Sequence, residues 1–146
     1  MIAGNLPSEH KAWFDAHVAP HIDQKTVRCI GPVDDAAKNQ LLGSAAALLM
    51  PILWEEPFGI VMAEALACGT PVIGFPRGAV PEVVEDGATG FIGNNVQALA
   101  NAVAMLPSID RRACRKRAED FFSDRAVVDA YVSVYEEMLA ARKKYQ

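Results

Sequence analysis

No stretch of this sequence approaches the ~18 consecutive apolar residues of a membrane-spanning helix. The N-terminus also lacks the basic region, apolar core and small-residue cleavage site of a secretory signal, so the expected compartment is the cytoplasm. Cysteine is scarce. Cys29, Cys68 and Cys114 are odd in number and far apart, which supports neither a disulfide framework nor a tetrahedral metal site. Positive charge is outweighed, with 14 Lys and Arg against 18 Asp and Glu for a net charge of −4. The one basic run, Arg111 to Arg117, is followed by Glu119 and Asp120 and reads as a solvated helix face, the alternative being a contact with an anionic membrane or with a further lobe. Electrostatic capture of nucleic acid is therefore disfavoured, and membrane contact is not indicated. The dinucleotide fingerprint Gly-x-Gly-x-x-Gly and the phosphate loop ending in Gly-Lys-Ser/Thr are both missing, which removes the main support for NAD or ATPase chemistry. What is present is ordinary: 146 residues, 51% hydrophobic, enough for one compact domain with a core.

The chain alternates between strand and helix signals. Met1 to Gly4 reads as the tail of a buried strand ending in a glycine turn, without the polar lead-in expected of a natural start, so a preceding segment is expected. Trp13, Phe14 and Val18 then recur at helical spacing from Pro7 to about His17, until Pro20 interrupts. That interruption also separates His17 from His21 and defeats a metal reading of the pair. Thr26 to Ile30 alternates, carries β-branched residues and reads as a strand. Asp34 or Asp35 caps a following helix to Leu42, with Gly43 as its terminator. Ala45 to Leu53 is continuously apolar and reads as a strand buried on both faces. A helix from Ile60 to Ala67 and a strand from Pro71 to Phe75 follow. After a short helix around Pro81 to Val84 and a turn at Asp86-Gly87, the last third is helical: about Val96 to Leu106, Asp110 to Phe122, and Arg125 to roughly Lys143. Such alternation predicts an α/β fold, a Rossmann-like open parallel sheet with helices on both faces and a helical C-terminal third. Residues 1–146 are expected to form a single lobe.

In an open parallel sheet ligands sit beyond the carboxyl ends of the strands, where loops enter helix N-termini. Trp54 to Gly59 holds that place. A helix beginning near Phe58 or Gly59 would present unpaired N–H groups and a positive dipole end to a phosphate. Glu56 and Glu64 flank that point, ~12 Å apart along the axis if the segment between them is all helical. That span matches a diphosphate with a sugar at one end and a ribose at the other, each held by one carboxylate as hydrogen-bond acceptor. It is too long for a glycosidase pair, ~5–9.5 Å apart. The plainer alternative makes Glu55 and Glu56 solvated turn residues and Glu64 a surface helix residue. Cys68, without a histidine near it in sequence, reads as packing at a helix end.

Glu56-Pro57-Phe58-Gly59-Ile60-Val61 and Glu64-Ala65-Leu66-Ala67-Cys68-Gly69-Thr70-Pro71-Val72-Ile73 together closely resemble the glutamate-x-seven-glutamate region of the family 4 retaining glycosyltransferases with the GT-B fold. The resemblance continues through Gly78 to Phe91, Phe122-Ser123 and the segment Tyr131 to Tyr135, and upstream through Cys29 to Asp35. It implies the donor-binding lobe of such an enzyme, transferring a hexose from a nucleoside-diphosphate sugar without a metal or other cofactor. Glu56 is then the catalytic-site residue that orients the donor sugar. Phe58, Gly59 and Ile60 meet sugar hydroxyls and phosphate through their backbones, Glu64 holds the ribose, and Val33, Asp35 and Lys38 lie near the base. The absence of any Asp-x-Asp agrees with a metal-free mechanism.

Two departures from the family pattern stand out. The residues of an N-terminal, acceptor-binding lobe are missing, and so are the first strand and helix of the donor lobe with the Arg and Lys that neutralise the diphosphate. The expectation is that this chain alone has little or no transferase activity. Its expected partners are a nucleotide sugar and either the missing lobe or a second copy joined through an exposed sheet edge. A stand-alone sugar-nucleotide binding or regulatory module is the alternative function.

Overall fold

A computed structural model of the protein describes residues 1–143. These residues form two compact units, 1–40 and the residues from 41 onward, with the division inside a helix. In the first unit a 3₁₀ turn leads into α1 (Lys11–His17). α1 buries none of its residues, and Trp13, 60% exposed, stacks on His17 with ring centroids 4.9 Å apart. Pro20 stands in a second 3₁₀ turn, Ala19–His21, so the expected interruption is present. The two expected strands of this unit reduce to one parallel bridge, Ile2 with Cys29. Its hydrogen bonds run from Ile2 N–H to Arg28 O (2.7 Å), from Ile30 N–H to Ile2 O (3.0 Å) and from Gly4 N–H to Gly31 O (2.9 Å). Met1 to Gly4 is exposed rather than buried, because the bridge gives the segment a backbone partner and no apolar cover. Beyond it, Asp34 caps α2 (Asp35–Ser44) by accepting the Ala37 N–H at 2.8 Å. Gly43 does not end α2. It stays right-handed and the helix runs through Ser44.

The second unit carries a three-stranded sheet, β1 (Leu48–Met50), β2 (Val72–Gly74) and β3 (Gly90–Ile92), parallel throughout and in sequential order. Leu48, Val72 and Gly90 are in register, as are Met50, Gly74 and Ile92. The connections are α3 (Ile60–Ala67) between β1 and β2 and α4 (Val80–Val83) between β2 and β3. After β3 come α5 (Val96–Met105), α6 (Arg111–Phe121) and α7 (Asp124–Lys143). Because successive strand residues face opposite sides, Val72 joins one core with Met62, Leu66, Val80, Val83 and Cys114, and Ile73 joins another with Leu99 and Ala102. Helices thus cover both faces of β2, whose three residues are all buried, each large apolar side chain contributing about 1.5–3 kcal/mol. The expectation of a strand buried on both faces fails for Ala45 to Leu53. Only three residues pair, and Leu49 is 58% exposed because β1 has a neighbour on one side only.

Candidate functional site

The loop from β1 to α3, residues 51–59, leaves the carboxyl end of its strand. Buried Ile52 anchors it, and Leu53 and Trp54 lie exposed beyond. The Trp54 indole N–H donates to Glu56 Oε2 at 3.0 Å, which orients that half-buried carboxylate. Gly59 turns the chain into α3 with φ 69° and ψ 68°, a left-handed conformation that disfavours a side chain. A Cβ there would also stand 2.7 Å from Met62 Cε. The first α3 hydrogen bond is Met62 N–H to Gly59 O, 2.8 Å, so the N–H groups of Ile60 and Val61 precede the intrahelical ladder and sit at the positive end of the helix. Ile60 is exposed, and Phe58 stands edge-on to Phe122, centroids 5.6 Å apart. Glu64 lies one turn into α3 and is half-buried.

α3 spans Ile60–Ala67 as expected, with Gly59 as its N-cap. The left-handed Gly59 rules out a continuous helix from Glu56 to Glu64, so the ~12 Å axial separation, which assumed one, does not apply. Only Ile60 to Glu64 is helical, a rise of about 6 Å. Glu56 precedes the helix on a loop, and Glu64 is fixed within it.

The loop from β2 to α4, residues 75–79, touches the first loop backbone to backbone. Ala79 N–H donates to Glu56 O at 2.8 Å and Gly78 N–H to Glu55 Oε2 at 2.5 Å, while Arg77 Nη1 lies 3.4 Å from Glu55 Oε1. At Gly78, φ 50°, a Cβ would fall 2.2 Å from Glu56 O and 2.3 Å from Glu56 N. The approach requires glycine. Glu55 remains exposed, its side chain 69% so, as the plainer reading had it, but it also carries a cross-loop contact that was missed because its partners lie more than twenty residues away in sequence.

In the first unit Asp35 and Lys38 form an ion pair at 3.1 Å on the first turn of α2, with the Asp35 side chain 94% exposed and that of Lys38 30%. Val33, just before the cap, is half-buried. Asp23 closes a tight loop, accepting the Thr26 hydroxyl and the amides of Lys25, Thr26 and Val27. The Thr26 hydroxyl foremost, then the Val27 and Lys25 amides, hold its carboxyl well below the usual range.

The basic run on α6 is more than a solvated face. Arg111 donates to Ala45 O (2.7 Å), Gly43 O (2.9 Å) and Thr70 Oγ1 (2.7 Å). Arg115 donates to Ala67 O (2.6 Å) and Arg117 to Glu82 O (2.8 Å). Three arginines thus satisfy carbonyls at or near the C-terminal ends of α2, α3 and α4, where helix dipoles favour cations. Beneath them Cys114 is buried, and desolvation raises its thiol pKa. Among the described residues no cluster of three or more His, Cys, Asp or Glu could hold a metal ion, and no helix is long and apolar enough to cross a membrane.

Parallel strands with helices on both faces and loops converging at the strands' carboxyl ends form a Rossmann-like α/β lobe of the GT-B type. The profile of the Glycosyl transferases group 1 family matches residues 1–108, and the chain belongs to that family. Among its relatives is the N-acetyl-alpha-D-glucosaminyl L-malate synthase of Bacillus anthracis, 30% identical over 128 residues that make up 82% of this chain and 32% of that protein. Among solved structures, AviGT4, a glycosyltransferase involved in avilamycin A biosynthesis, is 27% identical with a TM-score of 0.72, over 94% of this chain and 43% of that one. The Anabaena protein HepE, solved in complex with UDP, shares the fold at 22% identity and a TM-score of 0.75, over 94% of this chain and 40% of that one. The chain spans about a third of the length of the first curated relatives it matches.

Proposed function

We propose that this chain is the donor-binding part of a retaining, metal-independent glycosyltransferase that moves a hexose from a nucleoside-diphosphate sugar to an acceptor. One observation carries the reading: Glu56, oriented by the Trp54 indole and tied through its carbonyl to Ala79, stands immediately before the N-terminus of α3, with Glu64 one turn inside that helix. A diphosphate at that N-terminus receives the Ile60 and Val61 N–H groups and the helix dipole without a basic side chain. Glu56 then accepts hydrogen bonds from the sugar hydroxyls and Glu64 from the ribose diol. The backbones of Phe58, Gly59 and Ile60 line the path between them.

The bond from the anomeric carbon to the diphosphate oxygen breaks as the acceptor oxygen attacks from the same face, and the acceptor proton passes to the departing diphosphate. Neither glutamate is needed as nucleophile. The residues at the α3 N-terminus act on charge that grows on the leaving group, where preorganised donors stabilise the transition state more than the ground state. Val33, Asp35 and Lys38 are the residues that the family resemblance assigns to the base. The UDP bound by the Anabaena protein, which shares this fold, and membership of the Glycosyl transferases group 1 family support this reading.

Calorimetric titration of the chain with UDP, GDP and ADP and with their glucose conjugates tests it. One nucleotide series should bind, and Glu56→Ala should leave the bare nucleotide within about twofold while weakening the sugar conjugate by roughly 1–2 kcal/mol. Equal losses for both would remove Glu56 from the sugar.

A further inference from the structure

We propose that Glu55 is a positioning residue of this site, one that sets the place of Glu56 by clamping the loop after β2 onto the loop after β1. The inference rests on the donor-site reading and adds to it a residue that contacts neither sugar nor phosphate. Glu55 and Glu56 are consecutive, yet their side chains serve different partners: Glu56 takes the Trp54 indole N–H, and Glu55 turns to the other loop, where it accepts the Gly78 N–H and pairs with Arg77. The exposed ion pair with Arg77 contributes little by itself. The amide bond matters more, because it joins a charged acceptor to a backbone donor at the point where the two chains are closest. The missing Cβ of Gly78 is what lets its backbone reach Glu56.

Next to this contact, Ala79 N–H holds the Glu56 carbonyl. Two hydrogen bonds one residue apart on each strand therefore fix both the height and the tilt of the Glu56 backbone, while Trp54 fixes its side chain. The remainder of the proposed site does not depend on this clamp. Met62, Ala65 and Leu66 hold α3 in the core, so its N-terminus and Glu64 stay in place when the loop is released. Loss of the Glu55 carboxylate should therefore be felt at the sugar end of a ligand and not at the nucleotide end.

The test uses the full chain as wild type, Glu55→Ala and Glu55→Gln, the last keeping an acceptor oxygen for the Gly78 amide. Amide hydrogen exchange at Gly78 reads the clamp without any ligand. Titration with UDP, GDP, ADP and their glucose conjugates reads its consequence. Glu55→Ala should unprotect the Gly78 amide and weaken the binding glucose conjugate about tenfold while its parent nucleotide changes by less than about twofold, and Glu55→Gln should restore most of both. Unchanged Gly78 protection in Glu55→Ala would overturn the clamp. Lost protection with undiminished preference for the glucose conjugate would overturn its positioning role. Failure of the wild type to bind any of the six probes would overturn the donor-site reading and the positioning role with it, the Gly78 exchange still deciding whether the clamp exists.

Discussion

At the scale of single residues, the chemistry of this chain depends on positions where backbone and side chain have little freedom. Gly78 is the sharpest case. Gly78→Ala would place a methyl group against the Glu56 peptide, in a left-handed conformation as well, and should cost about 2–3 kcal/mol in urea unfolding. Gly43→Ala provides the contrast: right-handed, in a helix and with nothing within 4 Å of an added Cβ, it should stabilise by roughly 0.5–1 kcal/mol. Equal effects at the two positions would show that the close approach at Gly78 is not real. Asp23 makes a prediction about pH. Its folded pKa is depressed, so the stability it lends the loop is present above the ordinary Asp value of about 3.9 and lost only as pH falls through the lower folded value. The amide resonances of Lys25, Thr26 and Val27 should accordingly titrate below pH ~3.9; a midpoint at that value would show that the four hydrogen bonds do not form.

At the scale of elements, α6 acts as a staple across the C-terminal ends of three helices. Its Arg111 guanidinium serves three oxygens at once, and Thr70 in turn donates its buried hydroxyl to Leu42 O at 2.6 Å. Removing Arg111 takes a charged donor from two carbonyls and from the Thr70 hydroxyl, which keeps its own bond to Leu42 O, so Arg111→Ala should lower stability by about 1–2 kcal/mol. Arg111→Lys should recover only part of this, since an ammonium cannot reproduce the planar fork. A midpoint shift in urea below ~0.5 kcal/mol for Arg111→Ala would reduce these contacts to surface decoration. The order of helices and strands in the second unit was largely legible in the sequence, because β2, α5 and α6 obey simple periods and carry their own caps, Asn95 and Asp110. Other features were not. Apolar runs do not say how many neighbours a strand has, so Ala45 to Leu53 looked buried where β1 is an edge within its sheet. Alternation in Thr26 to Ile30 promised a strand, and a single bridge formed. In the loop after β1, Glu56 and Glu64 are singled out by resemblance and not by spacing, because the ~12 Å separation assumed a continuous helix that the left-handed Gly59 interrupts, and Glu55 as a cross-loop ligand depends on contacts that local sequence does not encode.

At the scale of the whole molecule, a family lobe is present with its two glutamates on different kinds of support. Glu64 stands on a helix locked into the core, and Glu56 on a loop held by a neighbouring loop and a tryptophan. α7 adds a long helix whose Val128, Tyr131, Tyr135, Met138 and Leu139 are all more than half exposed, so these side chains add little to the cores, which lie around β2. In the proposed function the glutamates act as grips at the two ends of a diphosphate rather than as an acid and a base. Its most direct test is a double cycle at Glu64: binding of the preferred nucleoside diphosphate and of its 2′,3′-dideoxy analogue, to the wild type and to Glu64→Ala. Glu64→Ala should weaken the ribonucleotide by ~1–3 kcal/mol and leave the dideoxy analogue almost unchanged. An equal loss for both ligands, or none for either, would contradict it.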